Sequence, residues 1–194
     1  MKPVQGVIFI ISGPSGSGKT TLLKHLLKAK GLKNCLIKST SFTTRPKRPN
    51  EQGGQDYFFI SEKEFKRQLK AKKILEWTKY LGYYYATPRE LVARHLREGN
   101  HIILCLDLKG ALRVKRLYPH NTVTIFILPP SLKTLWERIR GRSQKTKEQE
   151  IDKRMRLATK ELLAAPRYDY CLVNKDLAKA VTELQDFILN KINT

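Results

Sequence analysis

The stretch that decides the fold is Gly13-Pro14-Ser15-Gly16-Ser17-Gly18-Lys19-Thr20, which matches the pattern G-x-x-x-x-G-K-[S/T]. The apolar run Val7–Ile11 precedes it and predicts a buried strand, and Thr20–Lys30 follows with a helical pattern. Glycines let the backbone wrap closely around a phosphate, and the start of the next helix directs its positive end at the same anion. The stretch is therefore predicted to bind the phosphates of a nucleoside triphosphate.

Two side chains of this loop carry specific chemistry. Lys19 is expected to reach the β- and γ-phosphates, and Thr20 is expected to ligate the Mg²⁺ ion that accompanies them. The alternative is a glycine- and serine-rich turn that matches the pattern by chance. The loop indicates a nucleoside triphosphate but does not indicate the reaction.

The rest of the chain alternates apolar runs with helical patterns. Ile102–Leu106, Val123–Leu128 and Tyr170–Val173 are continuous apolar runs, and helices are predicted between them. Such runs are typical of an α/β fold with a parallel sheet covered by helices on both faces. Helix N-caps are predicted at Ser61, Ser131, Thr146 and Asp176.

Short strands and turns interrupt this alternation between residues 38 and 88. We therefore predict a core of residues 1–37 and 89–194, an insertion of residues 38–88, and a lid at about residues 138–154 within the core. The lid segment is polar and basic.

Charge is the most unusual property of the composition. The 194 residues hold 38 Lys and Arg against 17 Asp and Glu, which gives a net charge of +21. Such a balance indicates an acidic partner, which is a nucleic acid, an anionic membrane or small phosphates. Basic residues on predicted helix faces have no chemical role from sequence: Lys24, Lys28, Lys66, Lys70, Arg113 and Lys115.

Several classes of protein are not expected. No apolar run reaches the ~18 residues that a membrane span needs, and the N-terminal apolar run is too short for a secretory signal. The odd number of cysteines (Cys35, Cys105, Cys171) in apolar runs predicts buried thiols in a reducing cytoplasm. No Cys and His spacing fits a structural zinc site.

A second cluster of interest runs from Ser41 to Glu51 and contains Arg45 and Arg48 in a segment stiffened by proline. Guanidinium groups bind phosphate bidentately, and the hydroxyl of Tyr57 adds a neutral donor. A solvated basic loop is the alternative for this cluster. Downstream, Glu76-Trp77 lies in an otherwise apolar strand, and Tyr84-Tyr85-Ala86-Thr87 follows it.

Taken together, these motifs resemble those of the guanylate kinases from about Gly6 to Ile192. The resemblance implies a P-loop kinase core, a small mixed α/β insertion that binds a nucleoside monophosphate, and a short lid. It implies ATP-dependent phosphorylation of GMP, and of dGMP, by direct phosphoryl transfer in purine nucleotide metabolism. ATP is then a co-substrate and Mg²⁺ the cofactor.

The resemblance also implies which residues bind GMP. They are Ser41, Arg45, Arg48, Glu51, Tyr57, Glu76, Tyr85, Thr87 and Asp107. The assignment for the base is sensible chemically, because guanine offers donors at N1 and N2 and an acceptor at O6. A carboxylate from Glu76 and hydroxyls from Ser41 and Thr87 complement that edge. Adenine would leave the same groups mispaired.

On the ATP side, the resemblance adds Thr21, Arg138 and Asn174 to the phosphate-binding loop. Its catalytic residues are Lys19, Arg48, Arg142 and Arg154, which would neutralise charge on the phosphates as the lid folds over them. Cys105 stands where family members often carry an acid, so Thr20 is the only protein ligand expected for the metal.

Other functions remain as alternatives. A P-loop kinase of another phosphorylated acceptor would not need Glu76, Ser41 and Thr87 together. A guanylate-kinase-like interaction module would be expected to have a degraded ATP loop, whereas Lys19 and Thr20 are present. No motif for a specific nucleic acid occurs. We expect a cytoplasmic monomer or dimer whose partners are ATP and GMP, with no membrane partner.

Overall fold

The computed structural model describes residues 6–141 and 148–193. The strands are β1 (Ile8–Ser12), β2 (Leu36–Lys38), β3 (Ser41–Thr43), β4 (Tyr57–Phe59), β5 (Ile74–Tyr80), β6 (Tyr83–Pro88), β7 (His101–Cys105), β8 (Thr122–Leu128) and β9 (Tyr170–Val173). The helices are α1 (Lys19–Leu26), α2 (Glu62–Lys70), α3 (Arg89–Arg97), α4 (Leu108–Leu117), α5 (Leu132–Arg140), α6 (Glu148–Leu162) and α7 (Leu177–Ile192). A 3₁₀ turn, Ala165–Arg167, precedes β9.

The strands form two sheets, and the fold is α/β as predicted. One sheet has the strand order β2-β7-β1-β8-β9, and the other has the order β4-β3-β6-β5. Three predicted N-caps are confirmed by side-chain hydrogen bonds. Ser61 Oγ accepts from the Glu64 N–H (3.1 Å), Ser131 Oγ from the Thr134 N–H (3.0 Å) and Asp176 Oδ1 from the Lys179 N–H (2.8 Å).

Three sequence-based expectations differ from the structure. Helix α1 ends at Leu26 rather than near Lys30, because the chain continues in a series of tight turns. The sequence pattern predicts a helix over Gly110–Leu117, but α4 begins at Leu108, because Asp107 caps it. The cysteines are not buried thiols: Cys35 is half-buried, and Cys105 and Cys171 are exposed. Thr146, a predicted cap, lies outside the described residues.

One compact unit comprises residues 6–8 and 37–122. Its four-stranded sheet is mixed, because β3 runs parallel to β4 and antiparallel to β6, which in turn pairs antiparallel with β5. Phe65 of α2 packs with Ile74 and Ala86, and its ring stacks on Tyr84 with centroids 4.4 Å apart. This small core holds the β5–β6 hairpin in a register that places Glu76 opposite Thr87.

The other unit comprises residues 9–36, 123–141 and 148–193. Its strands β8 and β9 are parallel, as the continuous apolar runs predict. Leu135 and Ile139 of α5 pack against Ile151 and Ala158 of α6. Every residue of β1 is buried, so the chain leaves a rigid strand just before the phosphate-binding loop. Among the described helices, none is long and apolar enough to cross a membrane.

Candidate functional site

The loop between β1 and α1 requires glycine at both glycine positions of its sequence pattern. Gly13 has a φ of +138° and Gly18 a φ of +92°, where side chains other than hydrogen are strained. A Cβ at Gly13 would lie 2.4 Å from the Ile127 carbonyl oxygen, and one at Gly18 would lie 2.3 Å from Asn174 Nδ2. The sequence pattern G-x-x-x-x-G therefore reflects both backbone conformation and close packing.

Positive charge is concentrated at this loop. The Lys19 ammonium donates to the carbonyl oxygens of Gly13 (2.5 Å) and Pro14 (2.9 Å), so it lies across the mouth of the loop. Helix α1 begins at Lys19, and its first turn, which is fully described, contains no acidic residue. The positive end of the helix is therefore not neutralised locally, as an anion-binding site requires.

Asn174 and Arg138 support the same loop from the C-terminal part of the unit. Asn174 is 5% exposed, and its Nδ2 donates to the Ser17 carbonyl oxygen at 2.8 Å. Arg138 Nη2 donates to the Asn174 carbonyl oxygen at 3.3 Å. Arg138 Nη1 and Ser17 Oγ are buried and have no hydrogen-bond partner within the described chain. Buried donors of this kind favour a ligand that pairs with them.

The hydroxyl-bearing residues Thr20 and Thr21 are both exposed at the start of α1. Within residues 6–141 and 148–193, no group of three or more His, Cys, Asp or Glu side chains could hold a metal ion. Mg²⁺ bound with a nucleotide takes most of its ligands from phosphate oxygens and water, and needs only one or two protein groups. The accessible Thr20 hydroxyl fits that requirement.

Two arginines of the predicted lid, Arg142 and Arg154, were assigned a catalytic role. Arg154 lies on α6 and forms an ion pair with Glu150 one turn earlier, at 2.5 Å. Its Nε is buried without a partner in the described part of the chain, so the guanidinium still has hydrogen-bonding capacity. Arg142 lies outside the described residues.

In the other unit, Arg45 is the centre of a polar and aromatic cluster. Its Nη2 donates to Glu51 Oε1 at 2.7 Å, and its guanidinium lies 5.5 Å from the Tyr57 ring centroid and 5.8 Å from that of Phe59. Tyr57 packs edge-on against Tyr85, with centroids 5.9 Å apart. The structure thus brings together four residues that were predicted to bind GMP: Arg45, Glu51, Tyr57 and Tyr85.

Electrostatics keep this cluster charged. Burial would raise the pKa of Glu51, but the hydrogen bonds from Arg45 and from the Arg48 N–H lower it below its ordinary value. Burial would lower the pKa of Arg45, but its hydrogen bond to Glu51 raises it overall. Burial raises the pKa of Tyr57 to about 12, so its phenol remains a neutral donor near pH 7.

Glu76 is the buried carboxylate of this unit, and it is 3% exposed. Its Oε1 accepts a short hydrogen bond of 2.5 Å from the hydroxyl of Thr87, which faces it across the hairpin and is fully buried. Burial raises the pKa of Glu76 to about 7, even though the Thr87 bond and the nearby Arg113 charge lower it, and the Asp107 charge raises it. A buried carboxylate of this kind is expected where a ligand supplies the missing donors.

Three predicted residues occupy less central places. Arg48 is exposed, and its backbone N–H donates to Glu51 Oε2 at 2.9 Å. Ser41 begins β3, in register with Tyr57 of β4. Asp107 accepts from the Gly110 N–H at 2.8 Å, so one of its oxygens caps α4.

Sequence reasoning left Arg113 without a role. Its Nε donates to the carbonyl oxygen of Leu75, the residue before Glu76, at 2.9 Å. The pattern around residue 113 gave no signal for this contact, since the two residues are 38 positions apart.

Comparison with known proteins gives a uniform result. A family model described as guanylate kinase matches residues 5–191. The guanylate kinase of Caldanaerobacter subterraneus is 45% identical over 186 residues, covering 95% of this chain and 87% of the relative. That of Thermotoga maritima is 44% identical over 178 residues, covering 92% of this chain and 84% of the relative.

A solved structure agrees with these sequence matches. The crystal structure of guanylate kinase from Anaplasma phagocytophilum superposes with a TM-score of 0.82 at 28% identity. The superposition covers 98% of this chain and 88% of that structure.

Proposed function

We propose that this chain, which belongs to the guanylate kinase family and is an enzyme that phosphorylates GMP, transfers the γ-phosphoryl group of ATP directly to the phosphate of GMP. The observation that carries the proposal is the buried Glu76 carboxylate, bonded to Thr87, in a chain that also has a complete phosphate-binding loop. The products are ADP and GDP, and dGMP is expected to serve as a second acceptor.

ATP binds, in this proposal, at the loop of residues 13–20. Its β- and γ-phosphates accept from the backbone N–H groups and replace the two carbonyl contacts of the Lys19 ammonium. Thr21 lies at the start of α1 beside these phosphates, and Arg138 offers its buried Nη1 donor. Asn174 holds the loop through the Ser17 carbonyl.

We propose that Mg²⁺ is held by the Thr20 hydroxyl, phosphate oxygens and water. The ion would neutralise charge on the transferring phosphoryl group.

GMP binds, in this proposal, through its phosphate to the cluster around Arg45. The Arg45 and Arg48 guanidinium groups pair with the phosphate, and the phenols of Tyr57 and Tyr85 add neutral donors. Glu51 keeps Arg45 oriented rather than contacting the phosphate, since two anions would repel.

Guanine is selected at Glu76. The ionised carboxylate accepts from N1–H and from the 2-amino group, and the hydroxyl of Ser41 donates to O6. Thr87 donates to Glu76 Oε1, and a hydroxyl has a single proton, so its role in this proposal is to orient the carboxylate. Asp107 caps α4 beside this pocket and its charge acts on Glu76.

The reaction needs positioning and charge neutralisation rather than a strong base, because a GMP phosphate oxygen is already anionic. The residues proposed to neutralise the transferring group are Lys19, Arg48, Arg142 and Arg154.

We propose that the chain is divided into a core of residues 1–37 and 89–194, an acceptor-binding insertion of residues 38–88 and a lid at about residues 138–154. Closure of the lid would exclude water.

We also propose that the protein is cytoplasmic and is a monomer or a dimer. Its proposed partners are the nucleotides alone. The cysteines Cys35, Cys105 and Cys171 form no disulfide in the described structure, which supports a reducing compartment. The net charge of +21 exceeds what the proposed nucleotide site uses, but no specific nucleic-acid motif accompanies it.

The proposal is tested by measuring ADP formation with GMP, dGMP, AMP, UMP or no acceptor. Turnover with GMP and dGMP, and a rate near background with the other three, is the expected result. Turnover with AMP equal to that with GMP, or a rate of ATP hydrolysis that does not depend on GMP, would overturn the proposal.

Binding of GMP should depend on pH through Glu76. Its pKa is raised to about 7, and only the ionised form accepts both guanine donors, so the KM for GMP should rise as pH falls. Between about pH 8 and pH 6 the ionised fraction falls ~10-fold, which predicts a ~10-fold rise in KM. The Glu76→Gln variant is the control, because it shares the ionisation of the GMP phosphate but lacks the carboxyl. Identical pH profiles for both proteins would contradict the prediction.

Truncating Asn174 should weaken ATP binding specifically. Asn174→Ala removes the amide that donates to the Ser17 carbonyl oxygen and leaves that buried acceptor without its partner. A loss of ~1–2 kcal/mol is expected, so the KM for ATP should rise ~10-fold while the KM for GMP is unchanged. Asn34→Ala, at an exposed position of the same unit, is the matched control. An equal rise of both KM values would show that Asn174 does not act on the loop.

A further inference from the structure

Helix α4 lies directly against the carboxylate of Glu76. A Cβ atom placed at Gly110 would be 2.7 Å from Glu76 Oε2 and 3.3 Å from its Cδ, which is closer than side chains pack. Gly110 is buried on the first turn of the helix, and it does not have a positive φ. The glycine is therefore required by what lies in front of it and not by its own backbone conformation.

Both oxygens of Glu76 thus have a close neighbour. Thr87 of β6 donates to Oε1 at 2.5 Å, and Oε2 lies against the bare Cα of Gly110. A carboxylate that is 3% exposed and bounded in this way has little space to turn. Its orientation is fixed before any ligand arrives, which reduces the entropy lost on binding.

Arg113 stands one helical turn after Gly110. Its Nε donates to the Leu75 carbonyl oxygen at 2.9 Å and so ties α4 to the strand residue just before Glu76. Burial raises the pKa of Glu76, the Asp107 charge at the start of α4 adds to that effect, and the Arg113 charge opposes it. On β6, the facing group is the neutral hydroxyl of Thr87.

We propose that Gly110 and Arg113 are positioning residues for base selection. The absence of a side chain at Gly110 leaves room for the Glu76 carboxylate, and the Arg113–Leu75 hydrogen bond holds α4 beside it. The inference rests on the proposed role of Glu76 in binding guanine. The ligand is the N1–H and 2-amino edge of a purine nucleoside monophosphate. A purine nucleotide without the 2-amino group, such as IMP, offers one donor fewer to the Glu76 carboxylate.

Gly110→Ala separates this role from a structural one. Alanine is the better helix former and needs no unusual φ here, and this gain of about 1 kcal/mol offsets part of the cost of moving the Glu76 carboxylate, so the midpoint of thermal unfolding should fall by no more than a few degrees. The methyl group would displace Oε2, so the KM for GMP should rise about ten-fold and the preference for GMP over IMP should shrink. The KM for ATP should not change. Lys109→Ala, at an exposed neighbour on the same helix, is the control.

Arg113→Met provides a second variant that does not depend on steric displacement. Loss of its charge should raise the pKa of Glu76 further, so the pH at which the KM for GMP begins to rise should move upward. Arg113→Lys keeps the positive charge and should restore the pH profile. Arg116→Met, at an exposed position on the same helix, removes an equal charge and should leave the profile unchanged.

The outcomes distinguish this inference from the proposed function. If the unmodified enzyme did not phosphorylate GMP, both the proposed function and this inference would be overturned. If the unmodified enzyme used GMP normally, the inference would be overturned by Gly110→Ala with an unchanged KM for GMP. A larger fall of the unfolding midpoint with equal losses for ATP and GMP would also overturn it, since Gly110 would then be structural.

Discussion

Replacing Lys19 by alanine is expected to lower kcat for GMP phosphorylation by at least about 10²- to 10³-fold. Lys19 donates to the Gly13 and Pro14 carbonyl oxygens, so its ammonium lies across the loop that we propose binds phosphate. Transfer spreads negative charge over the γ-phosphoryl oxygens, and an ammonium already fixed at that place stabilises the charge without reorganisation. Single-turnover measurements with saturating ATP and GMP would give the loss in the chemical step.

The matched control for Lys19→Ala is Lys24→Ala, which removes an equal charge from an exposed position of the same helix. That variant should retain near-normal kcat. GMP binding, followed by fluorescence or calorimetry, should remain measurable in Lys19→Ala, because Lys19 has no proposed contact with the acceptor. Retention of more than about a tenth of normal kcat in Lys19→Ala would contradict the proposed role of Lys19.

Changing Glu76 to glutamine is expected to lower kcat/KM for GMP by about 10²-fold and to relax the preference for guanine. The carboxylate loses its charge, and hydrogen bonds to a charged group contribute ~1.5–3 kcal/mol each. The new amide keeps one acceptor for N1–H, but its NH₂ faces the guanine 2-amino group. In AMP, the unprotonated N1 could accept from that NH₂, so the ratio of GMP to AMP turnover should fall further than GMP turnover alone.

Glu62→Gln, at an exposed position of α2, is the control for the loss of one carboxylate. Its kinetics should match those of the unmodified protein, and the KM for ATP should be unchanged in both variants. An unaltered ratio of GMP to AMP turnover in Glu76→Gln would show that another residue selects the base.

Features that depend on local sequence were predicted well. The conformation of the loop of residues 13–20 agrees with its glycines, whose φ angles are positive, and the predicted strand and helix lie on either side of it. The caps at Ser61, Ser131 and Asp176 are contacts over three residues, so the chain itself places donor and acceptor together. The fold class follows from continuous apolar runs separated by helical patterns.

Contacts between distant parts of the chain could not be read from the sequence. Asn174 reaches a carbonyl 157 residues away and Arg113 reaches one 38 residues away, and no local pattern encodes either pairing. Thr87 was expected to donate to guanine, yet the hairpin register places its hydroxyl against Glu76. Cys105 and Cys171 were expected to be buried because they lie in apolar strands, but burial differs between the residues of one strand, and both are exposed.

The most direct test of the account is to follow the phosphorus of both nucleotides by ³¹P NMR in one reaction. A mixture of ATP, GMP and Mg²⁺ should give ADP and GDP in equal amounts as the enzyme turns over, with no accumulation of inorganic phosphate. Addition of AMP in place of GMP should leave the spectrum nearly unchanged. Formation of inorganic phosphate without GDP, or of ADP from AMP at a rate equal to that with GMP, would contradict the account.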